Sequence, residues 1–304
     1  MNILVITGGS SPERKISLLS ARMVAKVLRE KKHSVTVFDF KNGLTHLKDL
    51  LPKFNLAWPI MHGKEGEDGV LYQFLSSSKI AYVGSSPKGA KTAFDKILFK
   101  KYCNRKRLPT AKWKIIANAK GIGKFGFPCV LKGAYGGSSK EVFLLRSGQD
   151  LENIQVRKLL RANNKFFVEK LVTGTEITVG VLGGKPLPVL EIIPPKGAWF
   201  NYKNKYSGKT LEVPFAPSVS LDVQRKAKKL AMQIHKDLDL GSYSRTDIIV
   251  ENNIPYIIEI NTPGGVGFTA ESLLPKAAKA MGMSFGKLVE AILADVSKIS
   301  ADIN

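Results

Sequence analysis

Acidic, amide and arginine side chains cluster in a predicted hairpin toward the end of the chain. Arg245 and Asp247 precede an apolar run with a turn predicted at Asn252-Asn253, and Glu259 and Asn261 follow it. Residues two apart on a strand share a face, so the hairpin brings three oxygen ligands together. Oxygen ligands suit Mg²⁺, and a neighbouring arginine suits a transferring phosphoryl group. The alternative is a surface hairpin, but the apolar flanks favour a magnesium site in a buried sheet.

A glycine-rich segment follows another apolar strand and reads Lys132-Gly-Ala-Tyr-Gly-Gly-Ser138-Ser139. Backbone N–H groups of such a loop can lie against phosphates, and Lys132 ends the strand where a phosphate would be held. The sequence contains no GxxxxGK[ST] motif, so this is not a P-loop. The alternative is an ordinary Gly/Ser connector between two strands.

Three more segments carry candidate polar groups. Glu169 follows an apolar run, with Glu176 beyond it, and a carboxylate there can bind an adenine amino group or a ribose hydroxyl. A solvated Glu-Lys pair with Lys170 is the alternative. Glu13 lies between the first strand and the first helix, where it can pair with an ammonium group or cap the helix. His62 lies in a Gly/Glu-rich loop after a strand.

The composition places these motifs in a globular protein. Of its 304 residues 44% are hydrophobic, and the formal net charge is +22. The lysines are spread along the chain, so we expect solvated basic faces and no nucleic-acid binding. No run approaches the ~20 apolar residues of a membrane helix, and the N-terminus predicts a strand rather than a signal peptide. Two cysteines without metal spacing, Cys103 and Cys129, favour a cytoplasmic location.

The motifs require three structural units to position them. Alternating strands and helices predict a parallel α/β domain over 1–89, with strands at 3–7, 34–38, 55–60 and 80–83 and helices at 17–31 and 69–76. A second domain, 90–178, begins with one basic helix and continues with strands; its predicted elements are 91–105, 113–116, 128–132, 142–145, 150–161 and 166–169. The third, 179–304, contains a strand at 189–193, a helix at 221–238, the hairpin and a final helix after 284.

In order and spacing, these motifs resemble those of the D-alanine–D-alanine ligases of the ATP-grasp superfamily. The resemblance covers nearly the whole chain. Its other motifs are Ser-Pro-Glu13-Arg14-x-x-Ser17, His62-Gly-x-x-Gly-Glu67-Asp68-Gly69, Phe94-Asp95-Lys96, Lys205-Tyr206, and Ser272-Leu273 with Pro275. The resemblance implies an α/β, three-domain ATP-grasp fold. Its parts are an N-terminal parallel α/β substrate-binding domain, a central α+β nucleotide lid and a C-terminal α+β catalytic domain.

The resemblance also implies how the residues work. One D-alanine carboxylate attacks the γ-phosphate of ATP, and the amine of a second D-alanine attacks the resulting acyl phosphate. The implied catalytic set is Glu13, Ser138, Tyr206 and Arg245, with the first three latching the closed site and Arg245 stabilising the oxyanion. The residues implied in nucleotide binding are Lys96, Lys132, Glu169, Lys170, Glu176 and Lys205. Substrate binding falls to Glu13, His62, Gly264, Ser272 and Leu273. Two Mg²⁺, or Mn²⁺ in their place, are implied on Asp247, Glu259 and Asn261.

The chain departs from the family pattern in the two loops that meet substrate. Gly133 replaces a usual proline, Gly136 an acidic residue, and Glu141 a usual glycine. The segment 262–271 is two residues longer than usual before Ser272. Because this segment shapes the pocket of the second amino acid, another acceptor is an open alternative. A retained Tyr206 favours D-alanine over D-lactate.

The leading hypothesis is a ligase that makes D-alanyl-D-alanine for peptidoglycan precursors. One alternative is an ATP-grasp carboxylate–amine ligase with a different acceptor. Another is a nucleotide-binding protein without ligase activity, which a complete magnesium set argues against. The resemblance implies a homodimer. The sequence predicts no membrane partner. A basic nucleic-acid binder is the third alternative, which the spread of the lysines along the chain disfavours.

Overall fold

Three β-sheets organise residues 1–136, 141–161, 165–195 and 210–301, which the computed structural model describes, with side chains through 296. The first sheet is parallel, in the order β2-β1-β3-β4. Its strands are β1 (Asn2–Thr7), β2 (Ser34–Asp39), β3 (Leu56–Ile60) and β4 (Ala81–Tyr82). Its helices are α1 (Arg14–Glu30), α2 (Gly43–Leu50) and α3 (Val70–Ser77). The alternation predicted for this region is confirmed, whereas α2 was not predicted.

The second sheet is antiparallel, in the order β5-β8-β6-β7. Its strands are β5 (Trp113–Ile116), β6 (Cys129–Gly133), β7 (Val142–Leu145) and β8 (Phe166–Lys170). The helices of this region are α4 (Pro87–Phe94), α5 (Lys96–Arg105), α6 (Ala119–Phe125) and α7 (Ile154–Arg161). All four predicted strands of the region are present.

Two helix predictions in this region are wrong in their bounds. The single helix expected at 91–105 is two helices, because Asp95 is extended, with φ −79° and ψ 101°. Its carboxylate accepts hydrogen bonds from the backbone N–H groups of Ile97 and Leu98 at 2.9 and 3.0 Å. Asp95 therefore ends α4 and caps α5 at its N-terminus. The helix expected at 150–161 begins only at Ile154, after a 3₁₀ turn over Gly148–Glu152.

The third sheet is antiparallel, in the order β12-β11-β9-β13-β14, with β10 paired to β9. Its strands are β9 (Thr175–Leu182), β10 (Lys185–Pro186), β11 (Leu190–Ile193), β12 (Leu211–Pro214), β13 (Tyr243–Glu251) and β14 (Ile254–Asn261). Its helices are α8 (Leu221–Asp237), α9 (Leu273–Lys279) and α10 (Phe285–Ala301). Over the part of the chain that the structure describes, no helix is both long and apolar enough to cross a bilayer.

The predicted hairpin is confirmed as β13 and β14. Asn252 and Asn253 form its two-residue turn with φ of 51° and 63°, a left-handed conformation that asparagine tolerates better than most residues. The turn sets the register from Glu251↔Ile254 to Ile248↔Ile257, and an irregularity of the ladder between Asp247 and Ile248 then shifts it by one residue. As a result Arg245 lies opposite Asn261 and Asp247 lies opposite Glu259. The candidate metal ligands therefore meet on neighbouring strands, as their spacing predicts.

Helices α4 and α5 pack against the third sheet as well as adjoining the second. Phe99 and Tyr102 of α5 share a buried cluster with Ile234 of α8 and with Ile257 and Ile260 of β14. The first sheet shares another buried cluster with α10 and with Tyr243 of β13. These two clusters pack the first sheet and helix α5 against the third part of the chain. The three-domain division at 89 and 178 stays a prediction.

Candidate active site

Predicted site residues from distant segments line one cavity of about 350 Å³. The first helix contributes Glu13 at its N-terminal cap, and the loop after β3 contributes His62. The remaining predicted residues on the cavity wall are Lys96, Arg245, Glu259, Asn261, Ser272 and Leu273. Gly264 lies next to Gly265, which also lines the cavity. The cavity therefore joins carboxylate, guanidinium, ammonium and hydroxyl groups around a volume that suits small polar substrates.

Asp247 is the buried centre of the candidate metal site. Arg245 binds it in a bidentate pair, with Nε 2.9 Å from Oδ1 and a terminal nitrogen 2.9 Å from Oδ2. The Thr178 hydroxyl donates to Oδ1 at 2.6 Å, and the Asn261 amide donates to Oδ2 at 3.0 Å. Arg245 and Asp247 are each only 8% exposed. This network fixes the carboxylate against the hairpin, because Thr178, Arg245 and Asn261 lie on β9, β13 and β14.

The donor set suits a hard cation in its chemistry. Asp247 and Glu259 supply carboxylates on paired positions, and Asn261 donates its amide N–H to Asp247, which leaves its carbonyl oxygen as an acceptor. Over the described ranges no cluster of three or more His, Cys, Asp and Glu side chains forms a metal site, which agrees with a set of two carboxylates and one amide. Both oxygens of Asp247 already accept two hydrogen bonds each. A cation would therefore have to displace Asn261 or Arg245 from one of these oxygens.

Glu169 lies between two buried lysines. Lys132 of β6 pairs with one carboxylate oxygen, and Lys100 of α5 lies 2.6 Å from the other. The Lys100 ammonium also donates to the Thr110 hydroxyl at 2.6 Å. Lys100 is 1% exposed and Glu169 is 3% exposed. Burial by itself raises the pKa of Glu169, but the two ammonium groups outweigh it and hold that pKa at about 2.

Lys100 is a residue of the site that the sequence did not reveal. It belongs to a basic run at 100–107 for which solvated faces were expected, and that expectation is wrong for Lys100. Burial lowers the pKa of Lys100, and Glu169 opposes the shift. Two lysines and one carboxylate leave a net positive charge beside the glycine-rich loop. A polyphosphate bound there would meet a fixed positive charge at low dielectric.

Because the pKa of Glu169 is depressed, its ionised form should stabilise the folded state above pH 4.5, and this contribution should be lost as the pH falls toward about 2. The contribution is on the order of 3 kcal/mol. Urea unfolding of wild type and of Glu169→Gln between about pH 5.5 and pH 3 measures it. We expect the variant to show a flatter pH dependence. Glu290→Gln is the control, since Glu290 pairs with Lys31 at an exposed site. Equal slopes in wild type and Glu169→Gln would contradict the assignment.

The other predicted nucleotide residues that the structure describes are Lys96, Lys170 and Glu176. The Lys96 ammonium donates to the Gly136 carbonyl at 2.5 Å, and its backbone N–H donates to Ala134 at 2.9 Å. These bonds tie the start of α5 to the glycine-rich loop. Lys170 is exposed at the end of β8, and Glu176 is partly buried on β9. Ser138, Lys205 and Tyr206 lie outside the described residues.

The N-terminal motif positions His62 through a hydroxyl group. The Ser17 hydroxyl accepts a hydrogen bond from the His62 backbone N–H at 3.0 Å. Burial lowers the pKa of His62, while Glu13 raises it and Arg245 lowers it further. Glu13 occupies the N-cap of α1 without a capping side-chain hydrogen bond, whereas the Ser11 hydroxyl accepts a hydrogen bond from the Glu13 N–H at 3.1 Å. A side chain therefore does bind a backbone N–H at the start of α1, but it is that of Ser11. Glu13 and Arg245, which carry opposite charges, thus shift the pKa of the same buried imidazole in opposite directions.

Two departures from the family pattern compensate each other. A Cβ placed on Gly133 would lie 2.1 Å from Oε2 of Glu141, so the Glu141 side chain fills the space that a larger residue at 133 would need. The Gly133 N–H donates to the Glu141 carbonyl at 3.0 Å. A smaller residue at position 133 is therefore matched by a larger one at position 141, and the two still pair across β6 and β7 beside Lys132.

Glu67 is a second residue whose place the sequence did not predict. It lies in the His62–Gly69 motif, for which no role was inferred from the residues. Its carboxylate lines the cavity and accepts a hydrogen bond from the Gly63 N–H at 2.6 Å. Desolvation raises the pKa of Glu67 to about 8. Nothing in the local pattern separates Glu67 from the other acidic residues of that loop, Glu65 and Asp68.

The whole fold matches solved ligase structures. A D-alanine–D-alanine ligase from Bacillus anthracis complexed with ATP gives a TM-score of 0.86 at 27% identity, over 100% of both chains. The D-alanine–D-alanine ligase from Coxiella burnetii gives a TM-score of 0.82 at 22% identity, over 100% of this chain and 95% of that one. The three sheets and the cavity between them define a protein of the ATP-grasp class.

Sequence comparison narrows the class. A family profile described as the D-ala D-ala ligase C-terminus matches residues 102–294. D-alanine–D-alanine ligase of Oleidesulfovibrio alaskensis is 35% identical over 303 residues, covering 97% of each chain. That of Desulfovibrio desulfuricans is 32% identical over 297 residues, covering 96% of each. The chain belongs to the D-alanine–D-alanine ligase family.

Proposed function

We propose that this protein uses ATP to join two D-alanines into D-alanyl-D-alanine for peptidoglycan precursors. The observation that carries the proposal is the cavity in which Glu13, Arg245 and Ser272 converge from three parts of the chain. A carboxylate suits an amino acid's ammonium group, a guanidinium suits a developing oxyanion, and a hydroxyl suits a second carboxylate. These are the groups that a reaction between two amino acids needs.

The reaction proceeds in two steps. Glu13 pairs with the ammonium group of the first D-alanine, whose carboxylate attacks the γ-phosphate, and ADP leaves as an acyl phosphate forms. The amine of the second D-alanine, having lost a proton, then attacks the acyl carbon. Arg245 stabilises the oxyanion until phosphate departs. Ser272 and Leu273 hold the carboxylate end of the second D-alanine.

A second group of residues binds the nucleotide and its metal ions. Lys96 and Lys132 bind its phosphates, and Lys170, Glu169 and Glu176 line its adenosine side. We assign two Mg²⁺, replaceable by Mn²⁺, to Asp247, Glu259 and Asn261. Bound there, the cations would supply positive charge beside the transferring phosphoryl group. Ser138, Lys205 and Tyr206 complete the closed site, which must exclude water because an acyl phosphate hydrolyses readily. We expect a cytoplasmic homodimer.

The test is ADP release from the purified protein with Mg-ATP, measured with and without D-alanine, followed by mass analysis of the product. The proposal expects D-alanine-dependent ADP release and a dipeptide of D-alanine. A second arm supplies other D-amino acids as acceptors, because the 262–271 segment departs from the family pattern. ADP release that needs an acceptor other than D-alanine would replace the substrate assignment. Nucleotide binding without turnover under any acceptor would refute the ligase function.

A further inference from the structure

The loop that departs from the family pattern forms one wall of the cavity. It follows β14 and covers residues 262–268, and we name it the acceptor loop. Gly265 and Gly267 line the cavity directly. Within the loop, the N–H groups of Gly265 and Val266 both donate to the Thr262 carbonyl at 2.9 Å. The acceptor loop therefore has a defined backbone shape, and its distance from the opposite wall decides the width of the pocket.

Both ends of the acceptor loop are fastened. The Tyr243 hydroxyl donates to the Pro263 carbonyl at 3.2 Å, and the Phe268 N–H donates to the Ser20 hydroxyl at 3.3 Å. The Phe268 ring packs against Trp58 and Tyr243 with centroid distances of 6.2 and 5.3 Å. The loop is thus anchored to the first and third sheets, and only its glycine centre faces the opposing loop at 63–69.

Close packing explains the glycines at that centre. A Cβ on Gly264 would lie 2.6 Å from the Gly66 carbonyl oxygen and 3.1 Å from the Tyr72 hydroxyl. A Cβ on Gly265 would lie 1.9 Å from Oε2 of Glu67. Neither glycine has a positive φ, so contact and not backbone conformation disfavours an L-residue there. At Gly264 the obstacle is the Gly66 backbone, whereas at Gly265 it is the end of the Glu67 side chain, which separates the two loops at that point.

Glu67 is itself held in place from behind. Its Oε1 accepts the Gly63 N–H at 2.6 Å, and its own N–H donates to the Gly63 carbonyl at 2.9 Å. With one oxygen fixed on Gly63 and the other against Gly265, the carboxylate fills the gap between the two loops. A shorter residue would leave space on the cavity side, where Glu67 forms part of the lining.

We propose that Glu67 determines acceptor specificity, because the length of its side chain sets the width of the pocket between the 63–69 loop and the acceptor loop. The inference rests on the proposed function and deepens it. At full length Glu67 admits a side chain of one methyl group. Shortened, it admits larger D-amino acids as the second substrate.

The test is a competition among acceptors with ATP and D-alanine as donor. D-alanine, D-serine and D-2-aminobutyrate are supplied together, and fragmentation mass spectrometry identifies the C-terminal residue of each dipeptide. One methylene of pocket space changes selectivity by roughly 10- to 200-fold. We expect Glu67→Asp to raise the share of D-2-aminobutyrate at the C-terminus at least tenfold, while the KM for ATP stays within about twofold. Unchanged acceptor selectivity would overturn the assignment. So would an equal rise in the KM for ATP and the KM for the acceptor D-alanine.

Gly265→Ala is the converse variant, since its Cβ collides with Glu67. We expect a roughly tenfold higher KM for the acceptor D-alanine, reversed in part by adding Glu67→Asp. Gly123→Ala is the matched control, because no atom lies within 4 Å of a Cβ there.

Melting temperatures of the two single variants and the double variant form a double-mutant cycle. This cycle tests the contact between residues 265 and 67 without measuring catalysis. We expect Gly265→Ala to lower Tm by about 2–4 °C and the double variant to recover it, whereas additive shifts would overturn the contact.

Different results would overturn the proposed function and the role of Glu67. A wild type inactive with D-alanine would overturn the proposed function together with the substrate named here. A wild type active with D-alanine, beside Glu67→Asp and Gly265→Ala variants of unchanged acceptor selectivity, would overturn only the assignment of Glu67.

Discussion

Replacing Glu259 with Gln should abolish ATP turnover and leave the fold intact. Glu259 lies opposite Asp247 in the hairpin and lines the cavity beside Arg245 and Asn261. The substitution preserves shape and one oxygen acceptor but removes the negative charge that a divalent cation needs. Loss of one charge-stabilising group in an active site typically costs about 10²- to 10³-fold in kcat. We expect a loss of at least this size in D-alanine-dependent ADP release.

The control for Glu259 lies on the same hairpin. Glu251, at the turn end of β13, accepts hydrogen bonds from the Thr173 backbone and hydroxyl at 2.7 and 2.9 Å, away from the cavity. Glu251→Gln should retain turnover within about threefold. Titration with Mg²⁺ at fixed ATP gives a second readout, because Glu259→Gln should raise the Mg²⁺ concentration needed for half-maximal rate. Turnover near wild type in Glu259→Gln would refute the metal assignment.

The hairpin shows what the sequence can predict. Alternation of polar residues along two apolar strands and the Asn252-Asn253 turn are local properties, and together they predict the hairpin and bring Asp247 near Glu259. The irregularity between Asp247 and Ile248, which sets the two carboxylates directly opposite each other, was not predicted. The parallel pairing of the first sheet follows from its alternating elements. In both cases side-chain periodicity and turn conformation within a short stretch of chain are the physical cause of the part that could be predicted.

Lys100 and Glu67 show where such prediction stops. Lys100 belongs to a basic run, and only the packing of α5 against β8 turns it from a solvated lysine into the buried partner of Glu169. Glu67 meets Gly265 across two loops far apart in the chain. Asp95 ends a helix that apolar periodicity alone would continue. Each of these outcomes depends on contacts made after the chain has folded, which local patterns do not contain.

Arg245→Met should lower kcat by about 10²- to 10³-fold, and Arg245→Lys should restore little of it. The guanidinium binds Asp247 through two nitrogens at 2.9 Å each, a geometry that a single ammonium cannot reproduce. Arg225→Met is the control, since Arg225 is 65% exposed and pairs with Asp222 on the surface of α8. The KM for ATP should change less than kcat, because the arginine acts on the oxyanion.

Arg245→Met also tests whether Arg245 and a divalent cation both bind Asp247. Removing the guanidinium takes two hydrogen bonds and a positive charge from a buried carboxylate that also accepts from Thr178 and Asn261, so the folded state loses stability. A divalent cation at Asp247 would replace the missing positive charge. Because a ligand that binds only the folded state stabilises it by mass action, Mg²⁺ should raise the Tm of Arg245→Met more than that of wild type or of Arg225→Met. Equal Mg²⁺-dependent shifts in all three proteins would mean that the cation and Arg245 do not share Asp247.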